Sequence, residues 1–164
     1  MAVNAQRYSS ADTSLAVVNR VYTQREWRPG SRVLDYGGGR YDLNVEFMRG
    51  KGVEVAVYDK FNRTPEHNTQ VLQAAREVAP DYVVCSNVLN VIMEDDVVDG
   101  ILQDMASYGA PVLIAVYEGN RSGVGAETTK GYQRNARLAD YVPMVQKHYD
   151  IVSKKAGILE CLPR

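Results

Sequence analysis

The sequence predicts a three-layer α/β fold: a doubly wound, mostly parallel sheet that ends in a β-hairpin. Three observations predict it. Apolar runs of strand length alternate with longer helical stretches, glycines cluster directly after the first such run, and two strand-like segments flank Ala156-Gly157 near the end. At 164 residues the chain has room for one domain, 1–164, with a real core. No repeat, low-complexity tract or linker divides it. Apolar residues at 45% and charged residues at 24% match globular proteins, which excludes disordered and fibrous classes.

The elements follow in order. Asp12 to Arg25 reads as an amphipathic helix, capped by Asp12 or Thr13, with Leu15, Val18, Val21 and Tyr22 on one side. Arg28-Pro29-Gly30-Ser31 breaks it. Arg32 to Asp35 is a short strand running into Gly37-Gly38-Gly39, followed by a helix over about Leu43 to Arg49 and a stop at Gly50-Lys51-Gly52. Val53 to Asp59 reads as a strand buried on both faces. A helix from about Asn68 to Val78, a strand at Asp81 to Ser86, a helix at Asp95 to Ser107 and a buried strand at Ala110 to Tyr117 continue the alternation. After the glycine-rich loop Gly119 to Gly125, a helix is expected around Arg134 to His148, and then a hairpin pairing Asp150–Ser153 with Ile158–Leu162.

The N-terminus lacks the apolar run of a signal peptide, and no segment approaches the roughly 18 apolar residues a membrane span needs, so a cytoplasmic protein without membrane partners is expected. Cys85 and Cys161 lie in apolar runs and read as buried thiols. His67 and His148 stand alone, and no metal site is expected. The net charge of −1 is unevenly spread: +3 over residues 1–32, −8 over 41–118 and +4 over 119–155. Basic flanks around an acidic body serve either as solvated faces or to gather an anionic substrate.

Glycines after a buried first strand let the backbone approach a ligand where any Cβ would collide. Dinucleotide binding requires a third glycine at position 42, which is Asp42, a negative charge where a pyrophosphate would sit. Asp35-x-Gly37-x-Gly39 instead resembles the first signature of the class I S-adenosylmethionine-dependent methyltransferases, whose cofactor carries a sulfonium and an ammonium and no phosphate. The resemblance implies a Rossmann-like methyltransferase fold. It implies further that Asp59, 20 residues beyond Gly39, takes both ribose hydroxyls, and that Phe61 lies near the adenine. Its cofactor contacts are Asp35, Gly37, Gly39, Asp59, Lys60, Asn87 and Val88. The same residues also read as a tight turn without a ligand and a strand-end cap.

In that fold the loop after the fourth strand lines the pocket, and here it reads Ser86-Asn87-Val88-Leu89-Asn90. It lacks the prolines and aromatic residue of DNA amino-methyltransferases and the Pro-Cys of cytosine-5 enzymes. Val88 to Ile92, with Thr128 to Gln133, is similar to methyltransferase-like proteins found with DNA phosphorothioation systems and to small phage-encoded relatives. That likeness implies pocket-lining roles for Asn87 and Asn90 and a substrate-side role for Gly119 to Gln133. About 20 residues separate Asp59 from Asp81, so the fold's third strand is expected to be short or absent.

Asn87 and Glu118 are the candidate catalytic residues, and Arg121, Lys130, Arg134 and Arg137 form the basic segment flanking the pocket. The expected activity is methyl transfer to an unidentified acceptor, with an anionic substrate, nucleic acid or a nucleotide among the options. The alternatives are a hydrolase or lyase that degrades S-adenosylmethionine and an inactive binding protein of the same fold.

Overall fold

The computed structural model describes residues 17–129 and 131–164. In chain order the elements are α1 (Arg20–Thr23), β1 (Arg32–Tyr36), α2 (Leu43–Arg49), β2 (Glu54–Tyr58), α3 (Pro65–Glu77), β3 (Tyr82–Ser86), α4 (Asp95–Ala106), β4 (Val112–Ala115), β5 (Ala126–Thr128), β6 (Gly131–Gln133), α5 (Val142–Val145), β7 (Tyr149–Lys155) and β8 (Ile158–Pro163). Short 3-10 turns occupy Leu89–Val91 and Leu138–Tyr141.

Six strands form one sheet in the order β2-β1-β3-β4-β8-β7, with β1 to β4 parallel and the β7–β8 hairpin antiparallel on β4. This is the expected Rossmann-like arrangement, with no third strand beyond β2 among the described residues. The central strands alternate between two cores. Leu34, Val83, Cys85, Val112 and Ile114 face one side with α4. Val33, Val84, Leu113 and Ala115 face the other with Val21 and Tyr22 of α1 and Met48 of α2. The period of two on both faces is the physical reason these runs are almost continuously apolar.

Where a third strand would lie, α3 supplies side chains instead. Asn68 accepts from the Asp59 N–H (3.1 Å) and donates to the Asp59 carbonyl (2.8 Å), reproducing the donor and acceptor of a neighbouring strand. His67 Nε2 lies 2.6 Å from the Val57 carbonyl and so donates to it. His67, expected to be isolated, is thus part of the sheet margin, and His148 pairs with Asp99 (2.8 Å). Among the described residues no cluster of metal-ligating side chains occurs, and no helix is long and apolar enough to cross a membrane.

Three expectations are corrected and one hairpin is added. The helix expected over Asp12 to Arg25 is the short α1; Asn19 caps it, accepting from Val21 N–H (2.9 Å), Val17 to Asn19 are not helical, and Asp12, Thr13 and Leu15 lie outside the described residues. The helix expected over Arg134 to His148 shrinks to a 3-10 turn and α5, since Pro143 has no N–H to offer a preceding turn and is accommodated only in the first turn of α5. The β5–β6 hairpin was not foreseen, and Lys130 lies outside the described residues. β2 buries only Val55 and Val57, because it is an edge strand.

Candidate functional site

β1 lies between β2 and β3, so the chain leaves it in opposite directions, and the crevice beyond the C-terminal ends of these strands is the natural ligand position of such a sheet. A cavity of about 330 Å³ occupies it, within the range of small-ligand sites. Its walls come from Asp35 to Gly39 after β1, Tyr58 to Asn62 after β2, Ser86 to Val88 after β3, and Val97, Gly100 and Ile101 of α4.

The glycine turn is held by its neighbours. Gly37 N–H donates to the Tyr58 carbonyl (2.7 Å), with φ of +90° at Gly37 and +83° at Gly39. A Cβ on Gly37 would stand 2.5 Å from Val88 Cγ2, and one on Gly38 would stand 2.7 Å from Asp35 Cγ. Glycine is therefore required for contact with β3 and with Asp35, as well as for ligand approach. Arg63 ties the turn from outside, donating to the carbonyls of Gly39 (2.8 Å) and Tyr41 (3.2 Å) and pairing with Asp42 (2.9 Å).

Asp35 is buried beneath the turn, and burial raises its carboxyl from 3.8 to about 6. The Tyr22 hydroxyl, donating to Oδ2 at 2.7 Å, opposes that rise. Asp59 is equally withdrawn. Its Oδ1 accepts from Phe61 N–H (3.0 Å), Asn62 N–H (3.1 Å) and Asn62 Nδ2 (3.1 Å), while among the described residues Oδ2 accepts from Gly39 N–H alone (2.8 Å). A vicinal diol would thus find one Asp59 oxygen with spare capacity, against the two expected. The reason is that the short Phe61-Asn62 turn, without a third strand beyond it, is capped by the other.

Asn87, in the left-handed region at φ +60°, borders the cavity and also a second concavity of about 280 Å³ beyond β4. Val88 and Lys60 line the first, and the Lys60 ammonium sits 5.8 Å from the Phe61 ring centroid. Asn90 does not line it: the side chain is buried within the 3-10 turn, its carboxamide oxygen without a hydrogen-bond partner among the described residues. Glu118 lines the second concavity and not the first. Its Oε2 accepts from Leu138 N–H (2.7 Å) and its Oε1 pairs with Arg121 (3.2 Å). Arg134 is not a surface cation: it donates to the Ile92 and Met93 carbonyls and pairs with Asp95 (2.8 Å), fastening the β6 end to the cavity rim.

Several lining residues escaped sequence reasoning. Asn19 N–H donates to Asn44 Oδ1 (2.8 Å) and its side-chain amide to Ser86 Oγ (2.8 Å), which fixes Asn19 in the cavity wall. Only a helix start at Arg20 would have singled it out, and the amphipathic pattern extends past that point. Arg63 and Asn62 lie in a loop whose only sequence signal is its position after β2.

The lining is chemically legible. Two carboxylates, Asp35 and Asp59, face one ammonium, Lys60, and no guanidinium lines the cavity among the described residues. Such a site suits a cationic ligand with hydroxyls and opposes a pyrophosphate.

Comparison with solved structures agrees on the fold. The chain resembles an S-adenosylmethionine-dependent methyltransferase from Aquifex aeolicus (TM-score 0.54, 12% identity, 88% of each chain covered). It also resembles magnesium protoporphyrin IX methyltransferase (ChlM) from Synechocystis PCC 6803 with bound S-adenosylhomocysteine (0.51, 17%, 83% of this chain and 75% of that one). A TehB-like methyltransferase from Corynebacterium glutamicum aligns at 0.50 with 12% identity, covering 84% of this chain and 83% of that one. No protein-family model matches the chain, and no curated protein matches it in sequence.

Proposed function

We propose that the chain is an S-adenosylmethionine-dependent methyltransferase, with the cofactor in the cavity between the glycine turn and Asn87. The observation that carries this reading is the pairing of Asp35 and Asp59 around a glycine cradle at the sheet's switch point, without a cationic phosphate site. The three methyltransferases that share the fold support it.

The cofactor supplies a methyl group on a sulfonium, activated for in-line displacement. The chain's own part is binding and orientation. Asp35 favours a nearby cation, Asp59 Oδ2 offers an acceptor to a hydroxyl, and Tyr58, Phe61 and Ile101 give the planar base an apolar surround. Asn87, shared by both concavities, is the residue through which an acceptor would meet the methyl group. Its carboxamide both donates and accepts, so it holds a nucleophile without removing a proton. Glu118, engaged by Arg121 and Leu138, serves better as a support of this wall than as a base. The β5–β6 hairpin, which includes Thr128 and Gly131 to Gln133 of the phosphorothioation-like segment, stands on the acceptor side in this reading. Nucleic acid and nucleotides remain within the acceptor class.

The test is calorimetry with S-adenosylmethionine and S-adenosylhomocysteine, followed by mass spectrometry of the products. Binding, with S-adenosylhomocysteine formed only when an acceptor is added, is expected. Formation of 5′-methylthioadenosine without an acceptor would replace the reading with a degrading enzyme, and the absence of binding would end it.

A further inference from the structure

The second concavity is bordered by Arg20, Asn87, Tyr117, Glu118 and Arg121. Its charges do not cancel. Arg121 Nε is spent on Glu118 Oε1 at 3.2 Å, and the other carboxylate oxygen of Glu118 is taken by Leu138 N–H. Arg20 is different. Its guanidinium donates to the Ala156 (2.8 Å) and Gly157 (3.1 Å) carbonyls of the β7–β8 turn, both neutral, and it makes no ion pair among the described residues. Among the described residues two of its five N–H donors are used, so the planar fork is oriented and has donors to give. A Cβ on Gly157 would come within 2.9 Å of Arg20 Nη1, so the turn is shaped around this side chain.

The geometry points to an oxyanion-binding subsite at Arg20, which holds a phosphate or carboxylate group of the methyl acceptor beside Asn87. This rests on the methyltransferase reading, since it is Asn87, common to both concavities, that turns a bound anion into a positioned acceptor. Two guanidinium groups against one already-paired carboxylate leave the concavity with one positive charge. An oriented guanidinium in a partly enclosed place binds oxyanions by charge-assisted hydrogen bonds. Tyr117, exposed beside it, offers the remainder of the acceptor an aromatic surface.

The experiment uses the full chain, saturated with S-adenosylhomocysteine, in amide NMR titrations with sodium phosphate and, separately, sodium acetate at constant ionic strength. Saturable movement of the Asn87, Tyr117 and Gly119 amides is expected, and the anion that saturates first distinguishes a phosphate from a carboxylate group. Arg20→Gln should weaken that binding by about tenfold while leaving S-adenosylhomocysteine affinity within about twofold. Glu118→Gln, which removes the opposing charge without touching the Arg20 contacts, should strengthen it about threefold. Linear, non-saturating shifts, an Arg20→Gln curve that overlays the parent, or a Glu118→Gln protein that binds no better would overturn the subsite. If calorimetry finds no S-adenosylhomocysteine binding while phosphate still saturates, the cofactor reading fails on its own and the anion is not an acceptor group.

Discussion

The Tyr22 hydroxyl donates a 2.7 Å hydrogen bond to Asp35 Oδ2, joining the first described helix to the acid beneath the glycine turn. One neutral donor does not offset burial of the carboxylate, which titrates at about 6 against 3.8 outside the fold. Between those values the folded chain keeps a proton that the unfolded chain has released, so this group's contribution to stability falls as pH rises through the window and is fully lost above it. Asp35→Asn should therefore raise the melting temperature near pH 7.5 by several degrees, on the order of 2 kcal/mol, and confer little near pH 4.5. Affinity for a cationic ligand should drop about tenfold in the same variant. Melting curves at the two pH values check this, and equal shifts at both would contradict it.

Asp59 holds two loops as well as facing the cavity. Asp59→Ala leaves the N–H groups of Gly39, Phe61 and Asn62 without their acceptor, and a loss of about 2–4 kcal/mol is expected from denaturant titration. Asp59→Asn keeps one acceptor oxygen and should lose about half as much, while both variants abolish detectable S-adenosylhomocysteine binding by calorimetry. An alanine variant as stable as the parent would show that the carboxylate is free for ligand alone.

Asn68 acts on the same residue from the sheet margin. Asn68→Ala strips the buried Asp59 N–H of its acceptor and leaves the Asp59 carbonyl with the Arg63 N–H alone (3.1 Å), and a loss of about 1–3 kcal/mol is expected. Hydrogen exchange at the Asp59 amide should accelerate more than at the β1 amides. Uniform acceleration would assign Asn68 to global stability only.

Gly37 and Val88 should prove energetically coupled. Gly37→Ala meets Val88 Cγ2 and a φ of +90°, and about 2–4 kcal/mol of destabilisation is expected. Adding Val88→Ala removes the contact but not the backbone strain, so the double variant should recover part of that loss, with an interaction energy above about 0.5 kcal/mol. Strict additivity in a denaturation cycle would place the whole effect in the backbone.

The parallel strands, the glycine turn and the final hairpin were legible because each depends on local pattern: apolar runs for β1, β3 and β4, three consecutive glycines, and Ala156-Gly157 between two strand segments. Asp35 and Asp59 stand out by their order along a strand-helix-strand unit, and Asn87 and Val88 by the resemblance to the methyltransferase fold; all four line the cavity. Asn19 and Arg63 were not, because their roles depend on carbonyls and amides more than 20 residues away. The two misread helices share one cause: a periodic apolar pattern was extended past the place where tertiary contacts, or Pro143, ended the helix.

With no third strand among the described residues, β2 forms one border of the sheet and β7 the other, each a template on which another chain could grow a strand. The two borders are guarded differently. On β2 the His67 imidazole occupies the Val57 carbonyl and Asn68 occupies Asp59 just beyond, so the margin is chemically stoppered. On β7 a register shift between Ile151 and Ser153, followed by Lys154 and Lys155, bends and charges the edge. Where the fold is shortened, two side chains, His67 and Asn68, thus do what a covering strand would do in keeping neighbouring copies from fusing their sheets.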